Sequence, residues 1–252
     1  MKDFLNLPDR SDKPRQNGLT MVMDSGLTLQ QVDGLVEIGG DYLDYVKLGW
    51  GTSLVSQNIK EKIKKYQSEN IKISFGGTLF ELAFLQNKVQ EFKSRVQDLG
   101  IDLVEISDGS IEIDRNKKLD LISEFAESFT VLSEVGSKEV DTIYAPSFWV
   151  ESIKAELAAG AWKVIAEGRE SGRAGLYRDS SEVRTGLVDD IVKSVDVDKI
   201  LWEAPQKAQQ VWFIKKFGTN VNIGNIAPSN LISVETIRLG LRGDTLTFFH
   251  GD

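Results

Sequence analysis

Eight short apolar runs, rich in β-branched residues, recur along the chain, and each ends in a charged residue, a glycine or an amide. They are Thr20–Asp24, Tyr45–Gly49, Ile71–Gly77, Leu103–Asp108, Val131–Glu134, Val164–Glu170, Ile200–Glu203 and Val221–Asn225. Continuous apolar runs of this length suit strands covered on both faces, as in parallel sheets. Helical periodicity fills the gaps between them. In 53–66, Val55, Ile59, Ile63 and Tyr66 share a face, and in 79–99, Leu85, Val89, Phe92, Val96 and Leu99 do. Thr78 followed by Glu81 reads as a capping box, which makes Glu81 a structural carboxylate. Pro146 and Pro205 stand where helices should begin, and Gly100, Gly160 and Gly218 where they should end.

Strand and helix alternate with no gap wide enough for an inserted domain. The pattern predicts a single α/β domain, a (β/α)8 TIM barrel over 18–252, after a polar lead-in over 1–17. The length of 252 residues matches the about 250 typical of such barrels. An open doubly wound sheet usually carries a glycine-rich fingerprint after its first strand, and Asp24-Ser-Gly26-Leu27 does not match it.

Composition narrows the chemistry. With no cysteine there is no disulfide framework, thiolate nucleophile or cysteine zinc site. The single histidine, His250, lies two residues from the C-terminus. Histidine triads and multi-histidine metal centres would have to route through that tail residue. Acid–base work therefore falls to carboxylates, lysines or a metal-bound group. The net charge of -8, with Lys and Arg dispersed, argues against nucleic acid as a partner. No run approaches the ~18 apolar residues of a membrane span, and Met1 to Arg15 is polar, so a soluble, cytoplasmic protein without a membrane partner is expected.

Polar groups at the C-terminal ends of barrel strands are the usual address of an active site. Glu105, Glu134, Glu167 and Glu203 come from four successive runs. Sharing one bowl, they would need compensating charge, and an all-oxygen donor set favours Mg2+; structural salt bridges are the plain alternative. Lys47, inside a buried run, either binds an anion, transfers a proton or completes a salt bridge. Lys138, on the loop after Glu134, either reaches over the bowl or stays solvated. Arg169 and Arg173, set among glycines, suit phosphate or carboxylate. Asn222 and Asn225, with Arg238 and Arg242 beyond them, stand near the loops where barrels often bind phosphate. Ser107, in Ser107-Asp108-Gly109-Ser110, is a binding candidate or part of an ordinary turn.

Several motifs taken together carry a resemblance: Gly18–Asp24, Lys47–Thr52, Gly76–Glu81, Glu105–Gly109, Glu167–Gly172, Glu203–Pro205 and Asn222–Asn225. From about Pro14 to Asp244 the chain resembles the phosphosulfolactate synthase family, as a bacterial member. The resemblance implies a (β/α)8 barrel and a Mg2+-dependent addition of sulfite to phosphoenolpyruvate, giving (2R)-phospho-3-sulfolactate. On that reading Lys138 or Lys47 protonates C2, Arg169 and Arg173 hold phosphate or sulfonate, and Mg2+ offsets charge developing on the carboxylate. A homo-oligomer working on small anionic substrates is expected. The family also includes plant heat-stress-associated proteins. The alternatives are therefore a non-enzymatic stress protein on the same barrel, or a different enolate-forming lyase.

Overall fold

The computed structural model describes residues 4–136, 144–169 and 171–251. Eight parallel strands close in chain order: β1 (Thr20–Asp24), β2 (Tyr45–Leu48), β3 (Lys72–Gly76), β4 (Leu103–Ile106), β5 (Thr130–Val135), β6 (Lys163–Ala166), β7 (Ile200–Glu203) and β8 (Ile223–Ile226). The expected barrel is present. Helices α1 (Leu29–Gly39), α2 (Thr52–Val55), α3 (Ile59–Ser68), α4 (Thr78–Leu85), α5 (Val89–Asp98) and α6 (Arg115–Ala126) pack outside the first half. Helices α7 (Pro146–Ala158), α8 (Thr185–Val192), α9 (Lys207–Phe217), α10 (Leu231–Arg238) and α11 (Leu246–His250) follow in the second.

Every strand position except Lys72 and Thr130 is buried, as two-sided coverage requires. Alternation along the strands divides the core in two. Leu19, Met21, Tyr45, Leu103, Leu132, Ile165 and Leu201 fill the barrel interior. Val22, Val46, Ile73, Val104, Val131, Val164, Ile200 and Trp202 point outward into the larger core under the helices. Two residues further along β2, β4, β5, β6 and β7, on the interior parity, stand Lys47, Glu105, Glu134, Glu167 and Glu203.

The local differences from expectation have physical causes. The helix expected over 53–66 is two helices, joined through Asn58 in the left-handed region, and Val55 is exposed. The helix over 79–99 likewise breaks at Asn87, another left-handed residue. Thr78 is the first helical residue, not a cap. Glu81 instead accepts from the Ser107 hydroxyl at 2.8 Å and the Ser110 N–H at 3.3 Å, tying α4 to the loop after β4. Pro146 opens α7, whereas Pro205 precedes the capping residue of α9, Gln206. His250 packs with Nε2 3.1 Å from the Leu239 carbonyl. The lead-in covers the N-terminal end of the barrel: Arg10 pairs with Glu235 at 3.1 Å and Arg15 with Asp44 at 3.2 Å. Lys13 donates there to the carbonyls of Gly40 and Leu43.

Candidate active site

At the C-terminal end the barrel opens into a cavity of about 260 Å³. Lys47, Trp50, Glu134, Glu167, Arg169, Glu203 and Asn225 line it. Lys47 is wedged between acids: its Nζ lies 2.7 Å from Glu105 Oε1 and 3.5 Å from Glu134 Oε2. Burial by itself pushes the lysine pKa down. Glu105, Glu134 and Glu203 outweigh burial and hold the Lys47 pKa well above its ordinary value. The side chain is thus a fixed cation, which suits it to hold an anion rather than to deliver a proton near neutral pH. Glycine makes room for this pair. A Cβ at Gly77 would lie 2.7 Å from Glu105 Oε1 and 3.5 Å from Lys47 Cε.

Backbone N–H groups fix the other two acids. Gly168 N donates to Glu203 Oε2 at 3.0 Å, and Arg169 N donates to Glu167 Oε1. The turn after β6 therefore orients one carboxylate from its own strand and one from β7. The Tyr177 hydroxyl steadies the same corner by donating to the Glu203 carbonyl. On β8 the register with β1 slips between Thr20 and Val22, which oppose Ile223 and Ile226. The extra residue is a bulge, and Asn225, in the left-handed region at φ 57°, is turned by it into the cavity wall. Trp50 at φ 52° and Arg169 at φ 55° share that unusual backbone on the same wall. Strain gathered on one cavity is a mark of a functional site.

Four carboxylates against the cations Lys47 and Arg169 leave this group of side chains negative, and a divalent cation would balance it. Among the described residues, no group of three or more acidic or histidine side chains comes together in a ligating arrangement. Mg2+ is commonly held by one or two carboxylates, with water and substrate oxygens completing its shell, so the oxygen donors present fit it.

The structure corrects other assignments. Asn222 lies at the opposite end of the barrel: its amide donates to the carbonyls of Asp198 and Ile200 and accepts from Leu19 N. That position is structural, because β8 begins after Asn222 instead of ending there. Ser107 is fully buried with its hydroxyl engaged by Glu81. Arg173 is exposed and does not line the cavity. Arg238, at the end of a helix running antiparallel to the strands, also faces the N-terminal end, and Arg242 contacts Ser233 and Asp244. Asp24, on the outward parity of β1, is paired with Lys62 at 3.0 Å and Tyr66 at 3.1 Å. Lys138 lies outside the described residues. The reading of strand ends missed Trp50. Its signal was a large aromatic between two glycines just past a strand end, in Leu48-Gly-Trp-Gly-Thr52.

Fold and site together define a (β/α)8-barrel protein with an acidic, lysine-centred bowl at the end where barrel enzymes carry their chemistry. The chain belongs to the phosphosulfolactate synthase family: residues 8–244 match the family described as (2R)-phospho-3-sulfolactate synthase (ComA). It is 45% identical to the phosphosulfolactate synthase of Methanothermobacter thermautotrophicus over 250 residues, covering 97% of this chain and 96% of that one. The Bacillus subtilis phosphosulfolactate synthase is 43% identical over 97% of this chain and 99% of its own. Protein HEAT-STRESS-ASSOCIATED 32 of Arabidopsis thaliana is more distant, 25% identical over 94% of this chain and 91% of its own. Among solved structures, the Amycolatopsis orientalis BexX/CysO complex shares the fold, with a TM-score of 0.58, 11% identity and 96% of each chain covered. No helix among the described residues is long and apolar enough to cross a membrane.

Proposed function

We propose that this chain is a phosphosulfolactate synthase, adding sulfite to phosphoenolpyruvate to give (2R)-phospho-3-sulfolactate. The observation that carries the reading is identity of 43 to 45% over nearly the full length of both an archaeal and a bacterial synthase. The cavity suits the chemistry. Sulfite is already nucleophilic near neutral pH, so no serine, cysteine or histidine need be activated. Its sulfur lone pair forms the C3–S bond, the C2=C3 electron pair moves onto C2 and the adjoining carboxylate, and C2 takes one proton. Nothing leaves. The demand is therefore for positive charge near that carboxylate and for one proton delivered to one face.

Lys47, held charged by its acidic neighbours, offers a fixed positive end to the substrate carboxylate. Arg169 and Asn225, on the cavity wall, hold the phosphate or the incoming sulfite. The strength with which Lys47 keeps its proton disfavours it as the acid, so Lys138 is the proposed donor to C2. Glu167 and Glu203 would hold Mg2+ through oxygens of the pair oriented by the 168–169 turn. When bound, Mg2+ supplies Lewis-acid stabilisation of charge on the substrate carboxylate, typically worth several kcal/mol. The plant relative keeps a non-enzymatic barrel in view. Against it, both the Glu134 and the Arg169 positions are filled here by the residues the chemistry asks for.

Phosphorus NMR of the protein with phosphoenolpyruvate, sulfite and Mg2+, repeated with EDTA, tests the reading. A new phosphate-ester signal that requires sulfite and metal is expected. Persistence of the phosphoenolpyruvate signal with folded, metal-supplied protein would reduce the kinship to one of fold.

A further inference from the structure

Trp50 stands out on the wall of the bowl. It is 49% exposed, although it is among the largest apolar side chains in the protein. Its backbone sits at φ 52°, ψ 29°, a region that bulky residues rarely occupy. It is also the only tryptophan among the described residues that lines this cavity. Behind it the chain passes close to Met23, whose sulfur would lie 2.3 Å from a Cβ at Gly49. Ahead of it the anchoring is slight, since α2 buries no residue, with Leu54 67% and Val55 83% exposed. A strained, half-exposed indole therefore stands at the mouth of a site that must control one proton, followed by a helix that buries none of its residues.

We propose that Trp50 closes over the filled bowl and keeps bulk water from C2, so that only the positioned donor protonates it and the product has one configuration. The inference rests on the synthase reading. Once sulfite has added, the electron pair on C2 and its carboxylate accepts a proton from whatever donor reaches it. Bulk water reaching C2 would deliver that proton to either face, and a single configuration requires it to be shut out. The indole supplies a broad apolar cover without adding charge to a site already crowded with it.

The test compares wild type, Trp50→Phe and Trp50→Ala with phosphoenolpyruvate, sulfite and Mg2+. Products are resolved by chiral chromatography after removal of phosphate, and tryptophan emission is titrated with phosphoenolpyruvate. Wild type and Trp50→Phe should give one enantiomer. Trp50→Ala should turn over roughly 10- to 100-fold more slowly and release a mixture. Phosphoenolpyruvate should change the wild-type emission and leave that of both variants unchanged. A Trp50→Ala product of one configuration overturns the proposal, and if that variant also changes molecular mass in solution, Trp50 belongs to a subunit contact. An emission unmoved by phosphoenolpyruvate in active wild type overturns it as well. Folded wild type that makes no product sinks the synthase reading and this inference together, whereas active wild type beside an unaltered Trp50→Ala sinks this inference alone.

Discussion

At the N-terminal end of the barrel Arg238 is fully buried, and its guanidinium donates to the carbonyls of Thr219 and Val221 at 2.5 and 2.7 Å and of Leu19 at 3.2 Å. At the C-terminal end Lys47 is buried too, but it faces the carboxylates of Glu105 and Glu134. Neutral carbonyls satisfy hydrogen bonds without offsetting lost hydration, so burial pulls the Arg238 pKa down to about 9. Lys163, which donates to the Asp198 carbonyl at the same end, is pulled down by burial to about 8. Lys47 moves the other way, because full negative charges outweigh its burial. At one end Arg238 and Lys163 tie backbone together beside the Arg10–Glu235 and Arg15–Asp44 ion pairs, and at the other Lys47 is held among carboxylates around a cavity. The difference matches a structural end set against the proposed working end.

The largest effects should come from breaking the working end. Lys47→Met and Glu134→Gln are each expected to lower turnover roughly 10² to 10³-fold, the usual scale for removing one preorganised electrostatic contact. Circular dichroism should show the variants folded, and rates follow from phosphorus NMR. Near-wild-type rates in folded protein would remove these residues from the chemistry.

Arg238→Met should do the reverse. It takes the donor from the buried carbonyls of Thr219 and Val221, while Leu19 keeps the Ile223 N–H; at about 1–3 kcal/mol for each unsatisfied group, a loss of about 2 kcal/mol or more is expected. Urea midpoints would report it, and turnover per folded molecule should stay unchanged. A variant of normal stability and reduced turnover would erase the distinction between the ends. A smaller effect is expected from Glu203→Gln. The Mg2+ concentration giving half-maximal rate should rise roughly 10- to 100-fold, and an unchanged metal requirement would move the metal away from Glu203.

How much of this was legible in the sequence depends on what each feature needs. Strands covered on both faces read as apolar runs, and alternation by two carries Glu105, Glu134, Glu167 and Glu203 to one parity, so the barrel and its acidic strand ends could be read directly. Asn222 misled because the run Val221–Asn225 does not reveal a bulge at its far end: the strand starts after Asn222, and the extra residue turns Asn225 inward. Arg238 misled because its helix runs back down the barrel, so its last residue reaches the end opposite the loops after β7 and β8. Trp50 depends on a left-handed backbone conformation that no periodicity encodes. Position along an element was legible, whereas direction and twist at its ends were not.

The finest prediction sets the two ends against each other through pH. Lys163 has a folded pKa of about 8 against an ordinary 10.5. Between those values the unfolded chain holds a proton that the folded one has released, so this group makes stability rise as pH increases through that window. Lys47 has the opposite sign. Its folded pKa lies well above 10.5, so its contribution is complete below that value and is lost only as pH climbs towards the folded pKa. Urea unfolding between pH 8 and 10.5, with wild type compared against Lys163→Met and Lys47→Met, isolates the two contributions because other titrating groups cancel in each difference. The stability gap between wild type and Lys163→Met should shift with pH in favour of wild type across this window, while the gap to Lys47→Met should stay flat. A flat Lys163 difference would mean that the Asp198 carbonyl, with the Trp162 ring 4.9 Å away, solvates the ammonium as well as water does. The contrast between neutral and charged partners would then fail at the end where it is easiest to measure.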